Sequence, residues 1–370
     1  MAENRHQPYD LAQMQSLPLE VKIQMTKERI EAWYNSWCKF EIEDIKTGKT
    51  REVTIDCREF DAEPPMKETE CIKSFYRGQV YVSFSGGKDS TVLKHIVDSM
   101  YDDVPALFVN TGLEYPEIQK FAMSQKNVIT VRPEMRFDEV VKTYGYPIVS
   151  KEVSKRIVEY HNAEKKGNLE NSLAYKEFNG LRNKNTGGSF FNKEKWNFLV
   201  DAPFGISPRC CDVMKKKPAK KYEKETGRKA IIGTMASESF ARKKVWLQNG
   251  CNAFESVRPT SQPLSFWTEQ DILEYIKKYN VPYCSAVYGD IIEENGKLKT
   301  TGRDRTGCLF CAFGISQDGK INRFQRLKET HPRQYEYCIG GGEMIDGKWQ
   351  PSKEGLGLGY VLDYIGVKYE

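Results

Sequence analysis

The chain has 370 residues, of which 39% are hydrophobic, 29% charged and 12% aromatic. This is the composition of a globular protein of about two domains, and it excludes a collagen-like chain, a bare coiled coil and a long disordered protein. The 56 basic residues exceed the 51 acidic ones by only five charges, which permits a nucleic-acid or phosphate partner without arguing for one.

Neither a membrane span nor a secretory signal is predicted. No stretch approaches about 18 consecutive apolar residues, and the first six residues are too polar for the apolar part of a signal peptide. We therefore expect a cytoplasmic protein with no membrane partner. Its ten cysteines are then thiols and metal ligands, not a disulfide framework.

Residues 1–75 are predicted to form a helix and a β-hairpin ahead of the main domain. From Leu19 to Trp37, apolar residues recur at steps of three, four or seven, which indicates an amphipathic helix. Residues 40–45 and 52–57 alternate between apolar and polar around a Lys-Thr-Gly-Lys turn. Such a pattern predicts a hairpin.

Residues 76–260 alternate between short apolar strands and helical patterns, which indicates a parallel α/β sheet. Within them, residues 162–197 are rich in Lys, Asn and Gly, and fit either a solvated surface insertion or a lid near the site. The predicted strands are residues 79–84, 104–109, 128–131 and 230–233.

Residues 261–370 are predicted to form a helical element. One helix covers 266–276 and is capped by Thr268, and a charged helix lies near 323–328. This element also carries the second of two cysteine pairs described below.

A glycine-rich loop lies between the strand at 79–84 and the next helix. Gly86 and Gly87 allow a tight turn that brings backbone N–H groups close to a phosphate, and the helix adds its positive N-terminal end. The hydroxyls of Ser85 and Ser90 are further donors. The loop therefore predicts a phosphate-binding site.

Two charged residues complete this loop. Lys88 is expected to neutralise phosphate charge, whereas Asp89 would repel a bare phosphate and is expected to hold Mg²⁺ or to cap the helix. The loop is not a Walker loop, because the Gly-x-x-x-x-Gly-Lys-Ser/Thr spacing is absent. The alternative is a tight strand–helix turn without a ligand.

The sequence resembles the PP-loop ATP pyrophosphatases, and within them the phosphoadenylyl-sulfate (PAPS) and adenylyl-sulfate (APS) reductases. Residues 85–90 match the family's Ser-Gly-Gly-x-Asp-Ser loop completely, and residues 108–117 are similar to the second-strand segment of the reductases. Pro-Leu-Ser-Phe-Trp from Pro263, with Asp271, is similar to their Pro-x-x-x-Trp…Asp element. The likeness covers about residues 80–311.

This resemblance implies a doubly wound parallel sheet of the adenine nucleotide alpha hydrolase-like type. The nucleotide then lies at the carboxyl ends of the strands, where such sheets bind ligands. Thr111 and Gly112, within the second-strand segment, are expected to bind the nucleotide together with the loop.

Four cysteines form a second candidate site. A Cys-x-x-Cys turn directs two sulfurs at one metal or cluster, but adjacent cysteines diverge and are awkward ligands for a single Zn²⁺. A [4Fe–4S] cluster offers separate iron corners, so we favour it over Zn²⁺ and over ordinary buried thiols. The four residues are Cys210, Cys211, Cys308 and Cys311.

The first pair also resembles the iron–sulfur APS reductases. Their Cys-Cys-x-x-x-Lys-x-x-Pro segment matches Cys210, Cys211, Lys215 and Pro218 residue by residue. The resemblance implies a C-terminal iron–sulfur element, with Lys215 between cluster and nucleotide, where it stabilises negative charge on both.

The sequence departs from the reductases in two places. Their nucleophilic cysteine lies in a Glu-Cys-Gly-Leu/Ile-His segment without a counterpart here, and the remaining candidate, Cys338, lacks the Gly and the His. Their Gly-x-Arg has Met235 in place of the arginine, although Ser239 and Arg242 match. Both departures point away from sulfite production.

We therefore expect an enzyme that cleaves ATP between the α- and β-phosphates and adenylates a substrate for sulfur transfer. The iron–sulfur PP-loop proteins of nucleic-acid thiolation and DNA phosphorothioation, which the chain also resembles, work in this way. Asp89 would position Mg²⁺, and Lys215 and Arg242 would stabilise the transition state. The residues expected to bind the pyrophosphate are Ser85, Gly86, Gly87, Lys88 and Ser90.

Two alternatives stay open. One is a thiol-dependent APS/PAPS reductase that uses Cys338 and an external dithiol. The other is a non-catalytic module that binds the nucleotide without turnover. The expected partners are the adenine nucleotide, a nucleic-acid substrate, a sulfur donor or thioredoxin-like reductant, and further copies of the chain in a homo-oligomer.

Overall fold

A computed structural model describes residues 5–59, 62–182 and 191–370, so the Asn- and Gly-rich residues 183–188 of the predicted insertion lie outside the described residues. Within that part of the chain, the α-helices are α1 (Pro8–Gln15), α2 (Leu19–Asn35), α3 (Lys88–Asp98), α4 (Pro116–Ser124), α5 (Phe137–Tyr144), α6 (Lys151–Lys165), α7 (Leu173–Phe178), α8 (Lys217–Thr226), α9 (Phe240–Asn249), α10 (Glu269–Tyr279), α11 (Ser285–Tyr288), α12 (Arg323–Thr330), α13 (Pro332–Ile339) and α14 (Leu358–Tyr364). The strands are β1 (Trp37–Asp44), β2 (Thr50–Asp56), β3 (Glu70–Arg77), β4 (Val80–Phe84), β5 (Ala106–Val109), β6 (Val128–Val131), β7 (Ile148–Val149), β8 (Lys229–Ile232), β9 (Asn252–Ala253), β10 (Thr260–Ser261), β11 (Ile291–Glu294), β12 (Lys297–Thr300), β13 (Ala312–Phe313), β14 (Glu343–Ile345) and β15 (Lys348–Gln350).

The chain forms two compact units that are interleaved in sequence. Unit 1 contains the N-terminal elements, the glycine-rich loop and the segment before the second cysteine pair. Unit 2 contains all four predicted ligand cysteines. The domain boundaries predicted after residues 75 and 260 stay a prediction. Unit 1 comprises Met1–Asn110, Glu114–Val131 and Pro218–Thr306, and unit 2 comprises Thr111–Leu113, Arg132–Lys217 and Gly307–Glu370.

The N-terminal part of unit 1 contains a three-stranded antiparallel sheet. β1 pairs with β2, which confirms the predicted hairpin, and its other edge pairs with β3. Strand β3 is not predicted from the sequence, because neither face of that strand is well buried and no apolar alternation marks it. Contrary to the prediction, Trp37 is not part of the helix; it begins β1 and packs against Trp33 with 5.4 Å between the ring centroids.

The central sheet of unit 1 is mostly parallel, which confirms the predicted α/β architecture. Its strand order is β6-β5-β4-β8-β10-β9, and only the pair β10–β9 is antiparallel. The order therefore reverses between β4 and β8. Strand β6 has the predicted bounds, and β4, β5 and β8 fall within or beside theirs.

Helix α10 confirms the predicted cap, because Thr268 Oγ1 accepts a hydrogen bond from Asp271 N. The first turn of α10 and the residues just before it also contact helix α2 within unit 1. Lys22 Nζ lies 2.8 Å from Asp271 Oδ1, and Trp267 Nε1 donates to Thr26 Oγ1 at 2.9 Å. The Trp and Asp of the family-like element thus anchor the N-terminal extension.

Unit 2 is built from helices around the short parallel pair β7–β13. The described part of the predicted insertion contains helix α7, so it is not simply an irregular loop. Glu177 on α7 is fully buried and accepts hydrogen bonds from Lys193 Nζ at 2.7 Å, from Arg156 Nε at 2.9 Å and from Arg182. These ion pairs anchor the segment.

Among the helices of the described residues, none combines the length and apolarity that crossing a membrane requires.

Candidate functional site

The glycine-rich loop joins β4 to α3 and is braced internally. Gly86 has φ +72°, and a Cβ there would lie 3.0 Å from Ile118 Cγ2 and 3.1 Å from Ala122 Cβ, so the turn requires glycine. Ser90 Oγ lies 3.0 Å from Ser85 Oγ and accepts a hydrogen bond from Ser85 N at 3.2 Å. The two hydroxyls therefore fix the shape of the loop.

Lys88 is buried, with 4% of its side chain exposed, and its ammonium is held from two sides. Nζ donates to Asp304 O at 2.6 Å and lies 3.0 Å from Glu269 Oε1 on α10. It also lies 5.6 Å from the centroid of the Tyr288 ring. A phosphate near this loop would thus meet a positioned cation whose charge Glu269 shares.

One carboxylate oxygen of Asp89 is suited to binding a cation. Within the part of the chain that the structure describes, its Oδ1 is buried and has no hydrogen-bond partner, although Lys88 Nζ lies 3.9 Å away. Burial raises the pKa of Asp89, and the charges of Lys88 and Arg305 oppose that rise. A buried oxygen of this kind is satisfied by a bound cation.

The opposite wall follows β8 and α9. A Cβ added at Gly233 would lie 3.2 Å from Asp89 O, so the two walls approach closely. Glu238 pairs with Arg242 and lies 3.6 Å from Arg305 Nη1. Burial and the positive charge of Arg305 lower the pKa of Arg242.

Together these groups line one cleft within unit 1, of about 350 Å³, which is in the usual size range of small-molecule sites. It lies beyond the carboxyl ends of β4 and β8, where the strand order reverses, the place at which open α/β sheets bind ligands. Of the predicted site residues, the cleft is lined by Ser85, Gly87, Lys88, Asp89, Ser90 and Arg242.

Sequence reasoning missed several residues of this cleft. Tyr288 is buried, and its hydroxyl lies 2.8 Å from Thr306 Oγ1. Glu238, Arg305 and Thr306 also line the cleft. The available signal is Gly-Arg-Asp-Arg-Thr-Gly at 302–307, a basic segment between glycines directly before the second cysteine pair.

Three predicted site residues belong to unit 2. Thr111 Oγ1 accepts a hydrogen bond from Leu113 N at 3.1 Å, and Gly112 has φ +73°. Lys215 lies in a π-helical turn, Asp212–Lys216, of a type that is frequent at functional sites. Their expected roles toward the nucleotide stay a prediction.

The four cysteines line one cavity of unit 2, together with Lys215 and Phe137. Cys210 and Cys211 directly precede the π-helical turn, and their Sγ atoms are 3.9 Å apart. The Cys-x-x-Cys turn is fixed by the Cys311 N to Cys308 O hydrogen bond at 3.2 Å. Among the described residues, no three His, Cys, Asp or Glu side chains close around a single metal ion.

The two adjacent thiols differ in their electrostatics. The thiol of Cys210, with the ammonium groups of Lys151 and Lys215, lowers the pKa of Cys211 to about 6 against the effect of burial. The same contact with Cys211, and burial, raise the pKa of Cys210. Cys211 is therefore the thiol most readily held as a thiolate.

Other residues named in the sequence analysis lie elsewhere. Cys338 on α13 is fully buried, and burial raises its pKa well above the ordinary value. Met235, at the position of the reductases' arginine, is also buried. Cys71, in contrast, is exposed on β3, a strand with little burial on either face.

Comparison with known proteins agrees with this geometry. Residues 79–187 and 179–302 match the phosphoadenosine phosphosulfate reductase domain. An uncharacterized protein of Methanocaldococcus jannaschii, MJ0973, is 24% identical over 291 residues, which cover 74% of this chain and 51% of that protein. An adenosine 5'-phosphosulfate reductase of Oceanobacillus iheyensis is 29% identical over 125 residues, which cover 33% of this chain and 45% of the reductase.

The fold and the cleft define an α/β protein with a cleft at the switch point of its sheet. The domain match spans more than half of the chain, and the chain therefore belongs to the phosphoadenosine phosphosulfate reductase family of PP-loop proteins. This membership indicates an enzyme of the PP-loop superfamily. The chain spans about half the length of the curated relatives it matches.

Proposed function

We propose that the protein binds an adenine nucleotide in the cleft of unit 1 and cleaves ATP between the α- and β-phosphates, so that an acceptor is adenylated and prepared for sulfur transfer. The observation that carries this proposal is the buried, unpartnered Oδ1 of Asp89 beside the complete glycine-rich loop. A site for a phosphate chain and its cation needs both features.

Each residue of the cleft has a defined part in this reaction. The N–H groups of the loop and the ammonium of Lys88 bind the pyrophosphate that leaves, and Arg242 stabilises charge on the α-phosphate. Asp89 would hold Mg²⁺, which when bound would neutralise phosphate charge.

We further propose that the four cysteines of unit 2 hold a [4Fe–4S] cluster. Four thiols line one cavity. Adjacent cysteines are awkward ligands for one Zn²⁺, whereas each can take a separate iron corner of a cluster. When bound, such a cluster supplies one-electron redox chemistry or a position for sulfur. Lys215, on the cavity wall, balances its negative charge.

The second candidate is a sulfonucleotide reductase, since one relative carries that name. Its mechanism needs an accessible nucleophilic thiolate. Cys338 is fully buried with a raised pKa, so it does not meet this requirement in the described structure.

A product assay tests this proposal. Anaerobically purified protein receives ATP, APS or PAPS in separate reactions, each with Mg²⁺ and reduced thioredoxin. We expect AMP and pyrophosphate from ATP, with water replacing the acceptor when none is supplied. Sulfite from APS or PAPS would support the reductase instead, and binding of ATP without any product would support the non-catalytic module.

A further inference from the structure

Arg305 and Thr306 line one wall of the cleft, and the residues on both sides of Arg305 are held by contacts with other parts of unit 1. Lys88 Nζ donates to Asp304 O at 2.6 Å, and the hydroxyl of Thr306 lies 2.8 Å from Tyr288 Oη. The backbone on either side of Arg305 is therefore held against the glycine-rich loop. The Cα atom from which the Arg305 side chain extends is thus held in place between these two contacts.

The side chain of Arg305 is 58% exposed and lines the cleft next to a carboxylate that Arg242 also contacts. Glu238 is only 9% exposed; Oε1 lies 3.6 Å from Arg305 Nη1, and Oε2 accepts a hydrogen bond from Met235 N at 2.9 Å and pairs with Arg242. One carboxylate thus serves two guanidinium groups. Part of their positive charge is left for another anion.

The charge balance of the cleft supports the same conclusion. Among the described residues that line it, three cations, Lys88, Arg242 and Arg305, face two carboxylates, Asp89 and Glu238. A third carboxylate, Glu269, pairs with Lys88 from outside the lining. A Mg²⁺ ion at Asp89 would add two positive charges. The cleft is therefore complementary to a polyanion and not to a singly charged group.

The position of Arg305 indicates which part of a polyanion it meets. A Cβ added at Gly87, within the loop, would lie 3.3 Å from Tyr288 Oη and 3.7 Å from Thr306 Oγ1. The wall that carries Arg305 thus adjoins the loop itself, where the terminal phosphates of a nucleotide are expected under the proposed function.

We propose that Arg305 binds the β- and γ-phosphates of a nucleoside 5'-triphosphate and makes this cleft selective for a polyphosphate over a monophosphate. It supplies, from a later segment of the chain, the cation that Met235 does not provide. This inference rests on the proposed function, because it assumes that the nucleotide occupies this cleft.

The test is a set of binding measurements that need no turnover. Dissociation constants for α,β-methylene-ATP, α,β-methylene-ADP and AMP are measured by calorimetry, with Mg²⁺, for the full chain and for Arg305→Gln. We expect Arg305→Gln to weaken α,β-methylene-ATP binding by about 10- to 100-fold and AMP binding by less than about threefold. Arg305→Lys should recover part of the loss, because it keeps the charge without the fork of donors.

Arg303→Gln is the matched control. Arg303 lies two residues away in the same unit, but its guanidinium lies 5.1 Å from the centroid of the Tyr115 ring, outside the cleft lining. It should leave all three constants unchanged. If Arg305→Gln does not fold, Arg305→Lys alone must show an intermediate loss that is specific to the triphosphate analogue.

An equal loss for AMP and the triphosphate analogue, no loss for either, or failure of the unaltered protein to bind the analogue would overturn this inference. The product assay separates it from the proposed function. Binding that depends on Arg305 without formation of AMP and pyrophosphate would refute only the proposed reaction, and turnover that is indifferent to Arg305 would refute only this role.

Discussion

Asp89 shows how a single buried atom can indicate chemistry. Its Oδ1 has no hydrogen-bond partner among the described residues, and Lys88, the nearest cation, already pairs with Glu269 on α10. A carboxylate in this state raises the free energy of the empty site, and a bound cation lowers it again. The arrangement is typical of a functional site and not of a stabilising ion pair.

We expect Asp89→Asn to reduce AMP and pyrophosphate formation by about 100-fold or more, because the amide removes the charge that holds Mg²⁺. The control is Asp98→Asn at the other end of α3, where the carboxylate pairs with Lys94 and is 43% exposed. It should keep full activity. Initial rates over a range of Mg²⁺ concentrations measure both variants, and undiminished turnover by Asp89→Asn would remove Asp89 from the mechanism.

Glu177 is also a buried carboxylate, but in contrast to Asp89 it is paired with cations. Burial alone would raise its pKa, but Lys193, Arg156 and Arg182 outweigh burial and lower it from 4.5. A carboxyl group whose pKa is lower in the folded state stabilises the protein above its ordinary pKa. That stabilisation is lost as the pH falls through the lowered value.

Glu177→Gln should therefore lower the free energy of unfolding near pH 7 by about 3–5 kcal/mol, since three cations lose their buried partner. The difference from the unaltered protein should stay constant down to about pH 5 and shrink below it. Glu159→Gln, which removes a half-exposed partner of the same Arg156, should cost less than about 1 kcal/mol. Urea titrations at several pH values test this, and a difference that grows on acidification would contradict it.

At the scale of elements, α10 connects helix α2 with the glycine-rich loop. Its first turn carries Asp271, which pairs with Lys22 of α2, and Glu269, which pairs with Lys88. The N-terminal extension is thus part of the framework that positions the cleft. The domain match begins only at residue 79 and does not include α2.

Lys22→Met should destabilise the protein by about 3–5 kcal/mol, because it leaves Asp271 buried without its cation. The same two helices offer a matched control. Lys278 of α10 pairs with Glu20 of α2 at the surface, so Lys278→Met should have little measurable effect. Urea unfolding measures the free energy of unfolding of both variants. Equal decreases would show that the buried ion pair stabilises the protein no more than the surface pair does.

At the scale of the whole molecule, the sequence predicts those features whose signals are local. The glycine-rich loop, strand β6 and the Thr268 cap of α10 each follow from a few neighbouring residues. Strand β3 and the pairing of β7 with β13 depend on partners far along the chain. The basic segment that contains Arg305 is visible in the sequence, but its place in the cleft is not, because only the fold brings Arg305 to Glu238.

The four cysteines were predicted from spacing, and the fold brings all of them to one cavity of unit 2. Two lie before a π-helical turn and two lie directly after the wall segment of the cleft, since Cys308 follows Arg305 by three residues. Ordering the second pair around a cluster would restrict the backbone that carries Arg305. Cluster loading should therefore increase the affinity for a triphosphate analogue.

We expect anaerobically purified protein to contain about four iron atoms per chain, and Cys308→Ser to lose most of them because the cluster needs all four thiolates. The same variant should bind α,β-methylene-ATP more weakly, because loss of the cluster displaces Arg305. AMP binding should change little, because the glycine-rich loop is not displaced. Cys71→Ser, at an exposed thiol of unit 1, should change neither quantity. One zinc and no iron per chain would contradict the cluster. Iron loss with unchanged affinity for the analogue would leave the cluster in place and exclude its coupling to the cleft.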